Sequence, residues 1–339
     1  MTNQNIDFRR FEIYMTQRCN RNCIYCFAKD NLKTKVKEID FNTISKSVYK
    51  AKKNEFNYIT LLGGEPTVHK DFFRVLALCK KLGFKIHIFT NGLKFSDYEF
   101  ALKVKKIGAD FLALNLPDYR KEEFEFLTGL KGSYPQIIKA LKNIQQLKIP
   151  LSSIFLVTKT NYSKIENYVE YYYKMGLKLI VIQYLNYLGN ADKNTEKIKV
   201  KISKTVKYMK KASDNLLKKG GYPFFYEHLP ACFLKEYENK VLDLYLSGFD
   251  ESECIHPGTA KGKSLEISYK HRIKTPQCKK CVYYKYCPGI ERKYLEIYGS
   301  DEIKPVIKRA KQFWENYKNK EYIRKSKLSF LETMKEFEN

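Results

Sequence analysis

Between positions 19 and 26 the chain reads CNRNCIYC, which places Cys19, Cys23 and Cys26 on one short segment with three and then two residues between them. A structural zinc site takes four ligands, and the nearest histidine, His69, stands roughly forty residues further on. Zinc completed by a distant fourth ligand stays open. The inner pair, CIYC, has the spacing of a redox dithiol but leaves Cys19 without a part. Three thiolates on one loop suit a four-iron cubane held at three irons, with the fourth open to a small molecule that binds through an amine and a carboxylate. A second stretch, GGEP at Gly63, Gly64, Glu65 and Pro66, has glycines that let a backbone approach a ligand closely. Its Glu65 offers a charge for an ammonium group or a lock for the loop. On its own GGEP reads as a strand-end turn. Near the far end, CKKCVYYKYC carries Cys278, Cys281 and Cys287, with Cys232 and Cys254 upstream. Zinc, with His256 or His271 available as a ligand, and an iron–sulfur cluster are both chemically open there. Cys79, inside an apolar helical pattern, reads as a core thiol.

These groups need a scaffold, and the hydrophobic pattern supplies one. Strand-like runs at 11–16, 58–64, 85–92, 109–116, 150–158 and 178–186 alternate with helical patterns at 42–54, 71–83, 96–108, 134–148 and 162–176. The strands are near-continuous apolar runs, as in a parallel sheet covered on both faces, and each helix is the crossover that parallel strands require. Six such units make either a partly closed barrel or an open doubly wound sheet, and periodicity does not separate the two. The triple-cysteine loop follows the first strand and GGEP the second. Both therefore lie at the carboxyl ends of strands, where parallel α/β folds keep their ligand sites. Four regions are expected: a core over 1–190, a linker with an amphipathic helix over 191–227, a cysteine-rich unit over 228–299 and a charged helical tail over 300–339.

The chain has 339 residues, enough for a barrel-sized core and a smaller appendix, and its 44% hydrophobic and 29% charged content is that of a globular protein. There is no signal peptide, and no apolar run approaches the eighteen residues of a spanning helix; the expected location is the cytoplasm. Nine cysteines without a secretory signal argue against a disulfide framework and for metal or catalytic use. The net charge of +26 has three readings: codon bias, contact with RNA, and an acidic peptide or phosphorylated substrate.

CNRNCIYC, placed directly after strand one, resembles the CxxxCxφC signature of radical S-adenosylmethionine (SAM) enzymes, with Tyr25 in the aromatic position φ. GGEP, one βα unit later, is similar to the segment that meets the amino group of SAM in that family. The resemblance covers roughly residues 8–190. It implies a partial (β/α)6 barrel of the radical SAM type, a [4Fe-4S] cluster on Cys19, Cys23 and Cys26, and SAM held by Tyr25, Gly63, Gly64, Glu65 and Pro66. Asn91, in a TNG stretch, and Asn115 are implied near SAM as well, with Gln183 a weaker echo. The activity implied is one-electron cleavage of SAM to a 5′-deoxyadenosyl radical that takes a hydrogen atom from substrate. The cysteine-rich region resembles the SPASM or twitch extension of the same family, which implies an auxiliary [4Fe-4S] cluster on Cys232, Cys278, Cys281 and Cys287. No cysteine follows Cys287, so a full SPASM pattern is not met, and Cys254 either replaces Cys232 in the set or is a spare thiol. Such extensions imply a peptide or protein substrate and a reductase such as flavodoxin or ferredoxin. Only about ten residues precede the first strand, so recognition of a leader peptide would be supplied otherwise. RNA modification, cofactor synthesis and a non-catalytic metal-bearing binding protein are the alternatives. No general base or hydrogen donor is assigned; Asp118, Tyr119 and Glu227 are candidates by position alone.

Overall fold

A computed structural model describes residues 9–29, 36–177, 179–218, 225–244, 253–257, 262–263 and 269–308. Six strands come first: β1 (Arg10–Thr16), β2 (Tyr58–Gly63), β3 (Lys85–Thr90), β4 (Phe111–Asn115), β5 (Leu151–Leu156) and β6 (Leu179–Gln183). The helices between them are α1 (Phe41–Lys53), α2 (Phe72–Lys81), α3 (Tyr98–Ile107), α4 (Lys121–Thr128), α5 (Ser133–Gln146) and α6 (Ile165–Lys174). The six strands lie parallel and in sequential order, β6-β5-β4-β3-β2-β1. Crossovers of one hand between sequential strands put every helix on the same face, whereas a doubly wound sheet reverses its order at a switch point. The helix-free face is then the inside of a partial barrel.

Burial follows this division. Ile13, Ile59, Leu61, Ile86, Ile88, Leu112, Leu114 and Ile182 point outward into one large core shared with the helices. The alternate residues Tyr58, Phe111, Ala113, Ile154, Leu179 and Val181 form a smaller cluster on the inner face. Helix ends are set by local chemistry. Asp40 caps α1 by accepting from Thr43 N–H. Asp97 caps α3 by accepting from Glu99 and Phe100 N–H. Ser96, a good capping residue at the start of the helical pattern 96–108, instead donates to the Leu93 carbonyl at 2.7 Å. Helix α4 was not expected; its eight residues end at Gly129, which is left-handed at φ 63°.

Past position 190 come α7 (Asn190–Lys193), α8 (Thr195–Ile198), α9 (Ile202–Lys218), β7 (Phe225–Glu227), β8 (Glu253–Ile255) and β9 (Gly262–Lys263). The chain then forms β10 (Arg272–Ile273), β11 (Ile290–Glu291) and α10 (Arg292–Tyr298). Three of these strands join the barrel sheet: β7 extends it beside β6 and β8 beside β1, both parallel, with β9 antiparallel at the edge. β10 and β11 make a separate antiparallel pair. The cysteine-rich region therefore contributes two strands to the core sheet as well as its own small sheet. Of the expected helical tail, residues 309–339 lie outside the described residues, and 303–308 carry no helix. Among the described residues no helix is long and apolar enough to cross a membrane.

Candidate active site

β1 enters the triple-cysteine loop through an irregularity of register: Tyr14 pairs with Leu62 and Thr16 with Gly63. The loop is then held by the carboxyl ends of the neighbouring strands. Gly64 N–H donates to the Thr16 carbonyl at 2.6 Å, and Glu65 N–H to the Arg18 carbonyl at 2.8 Å. A Cβ on Gly63 would stand 2.4 Å from the Thr16 oxygen, and one on Gly64 2.3 Å from the Arg18 oxygen. Both glycines thus allow close approach to the cysteine loop itself.

Glu65 is 1% exposed. One carboxylate oxygen accepts from Thr67 N–H (3.2 Å), the Thr67 hydroxyl (2.6 Å) and the Thr90 hydroxyl (2.7 Å). The other accepts from Asn91 N–H at 2.6 Å. Of its two expected uses the structure gives Glu65 the lock, tying the end of β2 to the end of β3. Pro66 opens a short 3-10 turn, Pro66–Val68, directly after it. Asn91 carries the link onward: its amide donates to Asn20 Oδ1 (2.6 Å) and lies 3.7 Å from Cys19 Sγ. Asn115, ending β4, accepts from the Tyr25 hydroxyl at 2.5 Å, while its carbonyl accepts from Arg21 Nη1 at 3.2 Å.

Two further clamps lie outside the expected motifs. Asn22 and Ile24 N–H donate to the carbonyls of Thr128 and Leu127 at the end of α4, where a Cβ on Gly129 would meet the Asn22 oxygen at 2.3 Å. After β6, Asn190 N–H donates to the Cys26 carbonyl (2.9 Å), and its side chain to the Cys23 carbonyl (3.0 Å). A Cβ on Gly189 there would lie 2.3 Å from the Lys29 oxygen. The dipeptides Thr-Gly and Gly-Asn were the available signals, and both are too common to single out from sequence.

The three thiols share one electrostatic environment. Burial raises Cys23 to about 12, Arg21 draws it down, and Cys26 and Cys19 raise it further. Burial also raises Cys19, helped by Glu65 and Cys26 and opposed by the Arg21 backbone N–H. Thiols so placed bind a metal as thiolates only if the metal supplies the missing positive charge. His69 is committed elsewhere, with Nε2 facing the Ile39 carbonyl (2.9 Å) and Nδ1 accepting from Asp71 N–H (3.1 Å). The distant zinc ligand has no support from it.

The second cysteine group gathers across long sequence separations. Cys232, Cys278, Cys281 and Cys287 line one small cavity with Tyr283 and Tyr284. Burial raises the Cys232 thiol, and Cys287, Cys281 and Cys278 raise it further. Cys254 is elsewhere, fully buried on β8 beside β1. His256 stacks on Tyr14 at 3.7 Å between ring centres, and neither it nor His271 lines the cavity. Among the described residues no three His, Cys, Asp or Glu side chains are drawn around a point that would hold a single metal ion.

The remaining candidates separate. Gln183 donates to Glu227 across the β6–β7 pair. Asn186 is 2.9 Å from His228 Nδ1 beside them. Asp118 is 1% exposed and ion-paired with Arg120 at 2.8 Å. Tyr119 lines an outer groove of about 640 Å³ between α6 and α9.

A family model described as the radical SAM superfamily matches residues 13–172. Fe-coproporphyrin III synthase of Methanosarcina barkeri is 29% identical over 53% of this chain and 44% of its own length. PqqA peptide cyclase of Methylorubrum extorquens is 23% identical over 60% of this chain and 53% of its own. The chain thus spans about half the length of these curated relatives. Among solved structures, Streptococcus suis SuiB bound to S-adenosylmethionine superposes with a TM-score of 0.63 at 18% identity, over 88% of this chain and 77% of that one. SuiB bound to its precursor peptide SuiA gives the same TM-score over 75% of that chain. The fold is the partial barrel of these solved structures, and residues 13–172 are similar to the radical SAM superfamily.

Proposed function

We propose that the chain is a radical SAM enzyme whose substrate is a peptide or protein side chain. The observation that carries the reading is the clamping of the triple-cysteine loop by the ends of β2, β3 and β4, which fixes three thiols at the mouth of the partial barrel. The donor set fits a cubane: three soft ligands on one loop, with a buried guanidinium beside them whose Nε and Nη2 lack partners among the described residues. Cys19, Cys23 and Cys26 would hold that cluster, with Tyr25, Gly63, Gly64, Glu65, Pro66, Asn91 and Asn115 shaping the SAM side. When bound, cluster and SAM supply one-electron cleavage and an organic radical. The chain's own residues orient the loop, exclude water and keep the strand ends in register. Cys232, Cys278, Cys281 and Cys287 would hold an auxiliary cluster; their convergence on one cavity supports that set and leaves Cys254 out.

The peptide class is supported by the auxiliary thiol quartet and by the names of the PqqA cyclase and SuiB relatives. A small-molecule substrate is the second reading, favoured by the Fe-coproporphyrin III synthase match. A reductase such as flavodoxin or ferredoxin would supply the electron, and the cytoplasm is the proposed location. Anaerobic reconstitution followed by dithionite and SAM tests the reaction class. About eight irons per chain and release of 5′-deoxyadenosine, abolished in Cys19→Ala, are expected. No 5′-deoxyadenosine from the reconstituted chain sinks the enzyme reading. Stimulation of that release by a peptide library, and not by a peptide-free small-molecule extract, is expected; the reverse result selects the second reading. Filter binding to bulk tRNA across a salt series tests the RNA alternative suggested by the charge.

A further inference from the structure

Arg21 stands inside the triple-cysteine loop and is 4% exposed. Its Nη1 donates to the Asn115 carbonyl at 3.2 Å, and its guanidinium lies 5.1 Å from the centre of the Phe124 ring. Nε and Nη2 meet no acceptor, and no carboxylate pairs with the group among the described residues. A buried cation without a counter-charge is expensive, and a rigid, always-charged guanidinium cannot escape the cost by losing a proton. Backbone geometry adds that Arg21 N–H lies 3.4 Å from Cys19 Sγ, so the residue's own amide faces the first thiol. The one source of negative charge that the loop itself would bring to this position is its set of thiolates.

We infer that Arg21 supplies the positive charge offsetting the thiolate-rich cluster proposed for Cys19, Cys23 and Cys26, and is thereby a positioning residue that raises the cluster's reduction potential. This rests on the cluster-binding reading above. A nearby fixed cation stabilises the form carrying one more electron, so the reduced state gains more than the oxidised one. Asn115 and Phe124 hold the guanidinium in place, so the charge does not swing out to solvent.

The experiment compares the parent chain with Arg21→Gln, Arg21→Met and Arg21→Lys after anaerobic reconstitution. The reduced cluster's EPR signal that changes on addition of SAM is titrated against dithionite poise, with iron content and far-UV circular dichroism measured alongside. Both neutral variants are expected to hold a reduced-to-oxidised ratio at least tenfold lower at a given poise, which is 59 mV for a one-electron couple. Arg21→Lys is expected within about threefold of the parent, because it keeps the charge. Neutral variants that titrate with the parent overturn the inference, as does weakened SAM affinity at unchanged potential. Iron loading lost in the neutral variants but kept in Arg21→Lys supports it. Loading lost in all three with native dichroism overturns it, since guanidinium shape rather than charge would then matter. A parent chain with no SAM-responsive signal overturns the cluster reading itself, which separates that failure from one confined to Arg21.

Discussion

Glu65→Gln keeps the shape of the side chain and changes one terminal oxygen into a donor. The native carboxylate accepts four hydrogen bonds, three on one oxygen and the Asn91 N–H on the other. If the new amide nitrogen takes the place facing Asn91, two N–H groups confront each other. If it takes the other place, the Thr67 and Thr90 hydroxyls can turn and accept, but Thr67 N–H loses its acceptor. Either way one backbone N–H is orphaned in a site that is 1% exposed. Loss of a charge-assisted bond and burial of an unpaired N–H together cost about 3 kcal/mol. The loss is local, because Glu65 joins the ends of β2 and β3 and lies outside the hydrophobic core. Amide hydrogen exchange on the iron-free chain is the assay: Asn91 protection falls roughly a hundredfold, while Ile88, within β3, is unchanged. Asn91 also holds Asn20 and approaches Cys19, so iron uptake by the triple-cysteine loop falls with it. A glutamine variant with native Asn91 protection and native iron uptake refutes the reasoning.

Gly64→Ala places a Cβ 2.3 Å from the Arg18 oxygen and 2.7 Å from that of Gln17, so the cysteine loop must retreat by about 1 Å. A misplacement of that size costs on the order of 10²-fold in rate, read as 5′-deoxyadenosine release at unchanged far-UV dichroism. His87 is buried against Tyr58 and Phe111, and burial first, then Arg10, lowers it from 6.5 to about 4. A base lowered by folding binds its proton more readily when unfolded, so stability is lost as pH falls below about 6.5. Between pH 7.5 and 5.5 the loss from this group is about 1.3 kcal/mol, measurable by urea unfolding of the iron-free chain and absent from His87→Phe. Cys232→Ser lowers iron content by about four per chain, whereas Cys254→Ser, on β8, leaves it unchanged; equal losses from both would break the proposed quartet.

The six βα units were legible because each strand and helix carries its own periodicity, a local property of the chain. Helix α4 was missed because KEEFEFLT offers only eight residues with a weak apolar stripe. The α3 cap is not legible from the sequence, since Ser96 and Asp97 are both good caps and only the backbone path chooses between them. β7 and β8 are three residues each and bear no alternation to detect; they form because the open edges of the parallel sheet present unpaired backbone groups.

By itself the sequence determined the number and spacing of the thiols, the placement of Cys19, Cys23 and Cys26 after the first strand, and the alternation that makes a parallel sheet. Those follow from residue type and near-neighbour order. Only the tertiary structure decided what the small residues do: Gly63, Gly64, Gly129 and Gly189 make room for the cysteine loop, because three backbone segments distant in sequence pack tightly against it. It also decided that Glu65 locks two strand ends, that Cys254 stands apart from the other four late cysteines, and that Arg21 is buried with no carboxylate paired to it among the described residues. Contacts of this kind depend on which strands become neighbours, and no local pattern encodes that.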